Sequence, residues 1–160
     1  MVKYKLDTID SNIEFITPKG YERYEPVTNI IKILLIDDDH DEYYFVKKAL
    51  EQVGYSFEIH HIPNSEHAVE FLDLCPNPDL ILLDLKMPGV SGHEILKELR
   101  KHPGYNDVFI SVLSSSNNER DIKESYKNGA NSYIVKTHDK SKLTEDLKYI
   151  IDGMKYDFFM

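Results

Sequence analysis

Five short stretches of the chain are rich in apolar, β-favouring residues, and each has the length of an ordinary strand. They cover residues 30–36, 57–62, 79–84, 108–113 and 132–135. The first stretch, IIKILLI, is almost continuously apolar, as expected for a strand that is buried on both faces of a sheet. The third, DLILLD, is apolar until it ends on an acid. We predict one strand at each position.

Segments with apolar residues at helical spacing follow these strands. The predicted helices cover residues 41–53, 92–102, 118–128 and 139–154, and a segment that begins at Asn64 or Ser65 and ends at Pro76. In that last segment, we expect Ala68, Val69, Phe71 and Leu72 to face the core. Strand and helix alternate five times, which predicts an α/β fold: a doubly wound, five-stranded parallel sheet with five helices on its two faces.

Polar residues stand where four of the five predicted strands end. Asp37 and Asp38 follow the first strand, Asp84 ends the third, Ser114 follows the fourth and Lys136 follows the fifth. Ligands of open parallel sheets bind beyond the carboxyl ends of the strands. We therefore expect these side chains to converge on one edge of the sheet.

The predicted cluster has the components that phosphoryl transfer to a carboxylate requires. Three carboxylates in one cleft repel each other, and a hard divalent cation such as Mg²⁺ offsets that charge with few protein ligands. One carboxylate can then attack a phosphoryl group and become an aspartyl phosphate. Lys136 and Ser114 would supply an ammonium group and a hydroxyl donor to the charged oxygens of the group in transfer.

Ordinary structural explanations exist for several of these residues when each is taken alone. The acids at 37–39 would also suit a solvated strand end. Their spacing with Asp41 is that of a calcium loop, but Glu42 and Lys48 replace the glycine and the glutamate that such a loop needs. The seven histidines form no metal pattern, because neighbours such as His60 and His61 would point to opposite faces of a strand.

Composition narrows the function classes further. The chain has 160 residues, which favours one domain with a short appendage. Its formal net charge of −9 disfavours binding to nucleic acid or an anionic membrane, and no apolar run approaches the ~20 residues that span a bilayer. A single cysteine, Cys75, forms no intrachain disulfide and fits a reducing compartment. We expect Cys75 to be a buried apolar residue in a helix and the protein to be cytoplasmic.

Several segments together resemble the receiver domains of two-component response regulators. They are LLIDDD at 34–39, LLDLKMPG at 82–89 with the glycine at 92, the strand end at Ser114, and YIVK at 133–136. The resemblance covers residues 30–154 and implies a flavodoxin-like fold. NERDI at 118–122 and NGANSY at 128–133 are similar to the stand-alone receivers that pair with bacterial phytochromes and related histidine kinases.

The resemblance implies a role for each matched residue. Asp84 would accept the phosphoryl group, and Lys136 would pair with the resulting acyl phosphate. Asp38 would bind Mg²⁺ directly, with Mn²⁺ as an alternative ion, and Asp37 would hold metal-bound water. The further metal ligands would be Asp84 and the backbone carbonyl of Lys86.

Two more residues would switch the domain between states. Ser114 would move toward the phosphoryl group, and Tyr133 would change rotamer with it. Ser114 stands where the family commonly has threonine, and Thr137 stands where the family usually has a proline after the lysine. The usual cis peptide bond after Lys136 is therefore doubtful, because a non-proline cis bond costs ~2.5–4 kcal/mol.

The resemblance also implies partners and a mode of action. A histidine kinase or a histidine phosphotransferase would donate the phosphoryl group, and the chain would switch partner binding or pass the group on. Its surface at residues 118–154 would bind a partner or form a homodimer. The protein would be a phosphoacceptor that assists its own phosphorylation and dephosphorylation rather than an enzyme, with no nucleic-acid or membrane partner.

Two other functions stay open at this point. A phosphorylation-silent receiver would serve only as a binding module, although intact Asp38, Asp84, Ser114 and Lys136 argue against it. Haloacid-dehalogenase-like phosphatases also place Asp-x-Asp after a first strand, but they need a second acid pair late in the chain, which we do not find.

Both termini lie outside the resemblance. Residues 1–29 form an N-terminal extension of unknown role, either a small hairpin or a flexible arm, and residues 155–160 form an aromatic tail. No output domain follows, so we expect no direct binding to DNA.

Overall fold

The computed structural model describes residues 30–72 and 77–157. The predicted N-terminal extension at residues 1–29, the predicted helix end at Pro76 and the buried position predicted for Cys75 lie outside the described residues, as do the last three residues of the predicted tail. Within the described ranges, no helix is both long and apolar enough to cross a membrane.

In the described residues, five strands form one parallel sheet. They are β1 (Ile31–Ile36), β2 (Phe57–Ile62), β3 (Leu80–Leu83), β4 (Phe109–Ser114) and β5 (Ser132–Val135). The strand order is β2-β1-β3-β4-β5, and every neighbouring pair is parallel. This is the flavodoxin-like order of a doubly wound sheet. Beside β1 the order in which successive strands are added reverses: β2 lies on one side of β1, and β3, β4 and β5 lie on the other. The predicted fold class is confirmed.

Helices connect the strands and cover both faces of the sheet. They are α1 (His40–Val53), α2 (Ala68–Phe71, directly after a 3-10 turn at Ser65–His67), α3 (Gly92–Lys101), α4 (Glu119–Lys127) and α5 (Lys140–Asp157). Polar caps start three of them: Asp39, Ser91 and Asn118 each accept a backbone N–H from the first turn. Helix α5 continues to Asp157, beyond the end predicted at Met154.

The core has two layers because alternate residues of a strand point to opposite faces. Ile33 and Leu35 of β1 belong to the layer under α1 and α5, whereas Leu34 and Ile36 belong to the layer under α2 and α3. Both faces of β1 are therefore buried, as its continuous apolar sequence predicted.

The predicted inward face of α2 is partly wrong. Ala68 and Leu72 are buried, but Val69 is 45% exposed and Phe71 is 41% exposed. Residues four positions apart share one face of a helix, and Ala68 and Leu72 are such a pair. Among the described residues of this segment, Ala68 and Leu72 therefore form a narrow stripe against the core, and Val69 and Phe71 lie outside it.

Gly92, the first residue of α3, lies against the backbone that leaves β3. A Cβ atom at Gly92 would be 2.2 Å from the carbonyl oxygen of Asp84 and 2.6 Å from the Cα of Leu85. The Gly92 amide also donates to the Leu85 carbonyl at 3.1 Å. The glycine in the sequence motif thus allows α3 to begin in contact with the acid at the end of β3.

We expect Gly92→Ala to lower the free energy of unfolding by about 1–3 kcal/mol, because two backbones would have to separate. Gly153→Ala is the matched control: Gly153 lies in α5 with no atom within 4 Å of an added Cβ, so alanine should stabilise the helix by about 0.5–1 kcal/mol. Urea unfolding of both variants measures the difference. Equal shifts in the same direction would contradict the close approach at Gly92.

Candidate functional site

The residues predicted to converge do lie at one edge of the sheet. Backbone hydrogen bonds continue past the strand ends and fix this arrangement: the Asp84 amide donates to the Ile36 carbonyl at 2.9 Å, and the Lys136 amide donates to the Ser114 carbonyl at 2.8 Å. The side chains of Asp37, Asp84 and Ser114 are all buried. Each strand therefore delivers its terminal polar residue to the same edge.

The ammonium group of Lys136 pairs with the acids of the two central strands. Its Nζ lies 2.7 Å from Asp37 Oδ2 and 3.7 Å from Asp84 Oδ2, and the side chain is only 17% exposed. Burial acts to lower the pKa of Lys136, but the hydrogen bond to Asp37 and the nearby carboxylates outweigh it, and the net pKa is raised. Lys136 therefore stays protonated and supplies the positive charge of the site.

Glu42 also belongs to the site. From its sequence position, it was noted only as a mismatch to a calcium loop. It lies in the first turn of α1, and its Oε2 is 4.0 Å from Lys136 Nζ. Burial raises the pKa of Glu42, and Lys136 opposes the shift. The sequence signal was limited to its position in the first turn of a helix that begins directly after the acids at the end of β1.

Asp84 has a pKa well above the usual value of an aspartate. Burial raises its pKa to about 6, Lys136 opposes that shift, and Asp37 adds to it. The Lys86 amide donates to Asp84 Oδ1 at 3.3 Å, which orients the carboxyl group. A carboxylate with this pKa is ionised in most molecules at neutral pH, and it is more basic than an exposed aspartate.

Three of the acids suit a metal ion. Asp37, Asp38 and Asp84 each offer a carboxylate oxygen, and these oxygens lie within 4.8 Å of one another. Oxygen ligands of this charge fit a hard divalent cation, which would also offset the repulsion between them. Lys86 borders the same site, and its backbone carbonyl stays a predicted ligand.

An open depression of about 890 Å³ gives solvent access to the acids. The residues that line it include Asp38, Asp84, Lys86, Ser115, Lys136 and Thr137. Asp38 is exposed at its mouth, whereas Asp84 is only 4% exposed at its base. A donor group can thus approach Asp84 from one side, between the acids and Lys136. The peptide bond between Lys136 and Thr137 is trans.

The loop after β4 links the two predicted switch residues. Ser114 Oγ accepts a hydrogen bond from the Ser116 amide at 3.3 Å, and the Tyr133 hydroxyl donates to the Ser116 carbonyl at 2.8 Å. Burial raises the pKa of the Tyr133 phenol, and hydrogen bonding with Ser114 opposes that shift. Asp121 of α4, whose role in the loop the sequence did not indicate, accepts a hydrogen bond from Ser116 Oγ and lies 4.0 Å from Lys86 Nζ.

The fold, together with the acids and Lys136 at the carboxyl edge of the sheet, defines a receiver domain. The family model of the response regulator receiver domain matches residues 33–148, and the chain belongs to that family. The response regulator Rcp1 of Synechocystis sp. strain PCC 6803 is 30% identical over 129 residues, which cover 77% of this chain and 85% of Rcp1.

Two solved structures extend the comparison. The crystal structure of the phosphorylated cyanobacterial phytochrome response regulator RcpA has 32% sequence identity and a TM-score of 0.68, and the match covers 76% of this chain and 91% of RcpA. The Mn²⁺-bound form of Rcp1 has 30% identity and a TM-score of 0.66, and the match covers 74% of this chain and 90% of Rcp1. The predicted resemblance to receivers associated with phytochromes is confirmed.

The raised pKa of Asp84 predicts a pH-dependent cost in stability. Because the pKa is about 6 in the folded chain and lower in the unfolded chain, the stability present below pH 4 is lost as pH rises through 6. In metal-free buffer, Asp84→Asn should therefore raise the free energy of unfolding above pH 7 by about 1–3 kcal/mol.

Urea unfolding between pH 4 and pH 8 measures this gain, which should vanish at the acidic end. Glu145→Gln, at an exposed position of α5, is the control and should show no comparable pH dependence. A gain for Asp84→Asn that is constant with pH would contradict the raised pKa.

Proposed function

We propose that Asp84 accepts a phosphoryl group from a phosphohistidine donor. The carrying observation is the position of Asp84: a buried carboxyl at the end of a central strand, open to solvent on one side, with Lys136 Nζ at 3.7 Å. The receiver family is one of phosphoacceptors, which supports the reaction class. The carboxylate of the neighbouring Asp37 is instead held by Lys136 Nζ at 2.7 Å and by the Asp39 amide at 2.9 Å.

The phosphoryl transfer needs no reactant other than Asp84 and the phosphohistidine donor. An Asp84 carboxylate oxygen attacks phosphorus, an O–P bond forms, and the P–N bond to the donor histidine breaks. The electron pair of that bond returns to the imidazole, which leaves neutral because its other ring nitrogen keeps a proton. Lys136 lies close enough to both Asp37 and Asp84 to move toward the transferred oxygens as negative charge builds on Asp84.

The acids fit Mg²⁺, with Mn²⁺ as an alternative. A bound divalent cation would neutralise phosphoryl oxygens during transfer. In our assignment, Asp38, Asp84 and the Lys86 carbonyl would bind it directly, and Asp37 would hold metal-bound water. The Mn²⁺-bound form of the relative Rcp1 supports a divalent ion, and the clustered oxygens of Asp37, Asp38 and Asp84 support the place.

Ser114 and Tyr133 form the proposed switch. A phosphoryl group adds about −1.5 to −2 charge, to which the Ser114 hydroxyl can donate. Ser114 Oγ accepts a hydrogen bond from the Ser116 amide, so a movement of Ser114 toward the phosphoryl group would strain that bond and shift the loop after β4. The Tyr133 hydroxyl is bonded to the Ser116 carbonyl and would follow. Phosphorylation would thereby alter the surface at residues 118–154.

The partners follow from this chemistry. We propose that a histidine kinase or a histidine phosphotransferase is the donor, and that the surface at residues 118–154 binds a partner or a second copy of the chain. The protein would act as a phosphoacceptor that assists its own phosphorylation and dephosphorylation. The cytoplasmic location and the division into an extension at 1–29, a receiver at 30–154 and a tail at 155–160 stay predictions.

The acceptor is tested by chemical phosphorylation. Incubation with acetyl phosphate and Mg²⁺ should add one phosphoryl group per chain, and intact-mass measurement should find none on Asp84→Asn, because the amide is not a nucleophile for this transfer. Asp107→Asn, an exposed acid just before β4, should be labelled like the wild-type protein.

Either of two results would overturn the proposal. Labelling that persists in Asp84→Asn would place the acceptor elsewhere, and a wild-type chain that is never labelled would be a phosphorylation-silent binding module. Steady release of phosphate from a generic monoester would instead favour a phosphatase.

The switch is tested with Ser114→Ala. This variant keeps Asp84 and Lys136, so labelling should be largely intact, but the phosphorylation-dependent association should weaken by about fivefold or more, since such coupling is usually ~1–3 kcal/mol. Light scattering with and without beryllofluoride measures the association. Ser56→Ala, at an exposed position before β2, is the control. A full response in Ser114→Ala would mean that the signal takes another route.

A further inference from the structure

A histidine side chain of β2 contacts the backbone that carries the predicted metal ligands. His61 Nε2 lies 2.7 Å from the carbonyl oxygen of Asp37. Because a carbonyl oxygen can only accept a hydrogen bond, Nε2 must carry the proton and donate. The bond joins the penultimate residue of the edge strand to the first residue after β1.

The end of the hydrogen-bond ladder between β1 and β2 explains why the Asp37 carbonyl accepts a hydrogen bond from a side chain. The Asp37 amide donates to the carbonyl of Ile62, which is the last residue of β2. Pro63, which has no N–H, follows directly, and β2 ends at Ile62. The His61 ring takes over at the point where the backbone pairing stops, and it holds the Asp37 carbonyl.

Two aromatic side chains of α1 hold the His61 ring in position. Tyr43 stacks on it, with ring centroids 5.0 Å apart and an interplanar angle of 10°. His40 meets it edge to face, with centroids 5.3 Å apart. Both belong to the first turn of α1, which begins directly after the acids at the end of β1. The ring therefore bridges the edge strand, the β1–α1 junction and the start of the helix.

The carbonyl that His61 contacts belongs to the peptide unit that joins Asp37 to Asp38. That unit is planar, so fixing its oxygen also fixes the Asp38 amide and the position of the Asp38 Cα, from which the side chain leaves the backbone. The other polar groups of Asp37 already have partners: Oδ1 accepts from the Asp39 amide at 2.9 Å, and Oδ2 lies 2.7 Å from Lys136 Nζ. His61 completes the set that orients both neighbouring acids.

We propose that His61 is a positioning residue for the cation site: through its bond to the Asp37 carbonyl, it holds Asp37 and Asp38 in the orientation that binds a divalent ion. This inference rests on the proposed function, since it assigns His61 to the predicted metal ligands. The adjacent His60 has no such part, because it lies on the opposite face of β2 and pairs with Glu58 at 2.6 Å.

The test compares two substitutions of His61 by Mn²⁺ titration, with free Mn²⁺ measured by electron paramagnetic resonance. His61→Leu removes the donor, and we expect about tenfold weaker binding, the lower end of the effect of losing a group that orients a ligand. His61→Gln keeps an amide N–H near the position of Nε2 and should bind within about threefold of the wild-type protein. His60→Leu is the matched control and should bind as the wild-type protein does.

A second measurement needs no metal. The Asp39 amide donates to the Asp37 carboxylate, so its hydrogen exchange reports the order of this segment. In metal-free protein, exchange at Asp39 should be several times faster in His61→Leu and should return toward the wild-type rate in His61→Gln. Two controls separate a local change from a global loss of stability. A local change leaves hydrogen exchange in β3 and β4 unaltered, and it leaves the free energy of unfolding in urea close to that of the wild-type protein.

Wild-type binding of Mn²⁺ that Asp38→Ala weakens, together with the expected order of the His61 variants, supports the inference. If Asp38→Ala weakens binding but His61→Leu matches the wild-type protein in affinity and in Asp39 exchange, the role of His61 is refuted and the cation site stands. If the wild-type protein binds no Mn²⁺, or Asp38→Ala binds it unchanged, the cation site itself is misplaced and the inference is lost with it.

Discussion

The ammonium group of Lys136 lies within 4.0 Å of carboxylate oxygens from three different segments, those of Asp37, Glu42 and Asp84. Burying several acids together is unfavourable unless a positive charge compensates them. Loss of the cation of such a buried cluster usually costs ~3–5 kcal/mol, because it leaves the carboxylates without a compensating charge. The carboxyl edge of the sheet is therefore stable only while β5 brings its lysine to the acids of β1 and β3.

Other parts of the fold hold the acids and Lys136 close together. The apolar strands β1 and β3 are buried on both faces, so their ends are held rigidly and the acids that follow them cannot retreat into solvent. The close contact at Gly92 sets the path of the chain after Asp84. On the other side, His61 secures the carbonyl of Asp37 where the backbone ladder ends. Packing and hydrogen bonds thus keep together groups that repel each other.

Much of the fold could be predicted because its signals are local. An apolar run that stops at a polar residue marks both a strand and its functional end, so Asp37, Asp84 and Lys136 could be assigned to one edge from sequence alone. The failures depended on contacts that spacing does not encode. Val69 and Phe71 were predicted to face the core, but the face of this segment that packs on the core carries Ala68 and Leu72. Glu42 and His61 join the site through side-chain directions that only the packed structure defines.

The strand order places the charges of the site on strands of unequal constraint. The acids follow β1 and β3, which are each hydrogen-bonded to two neighbours. Lys136 follows β5, which pairs with β4 alone among the strands that the structure describes. Motions are largest where the backbone has the fewest partners. We therefore expect the carboxylates that follow β1 and β3 to have little freedom to move, and Lys136, which follows β5, to have more. A small displacement of that border strand changes the electrostatic potential at Asp84 without moving any acid.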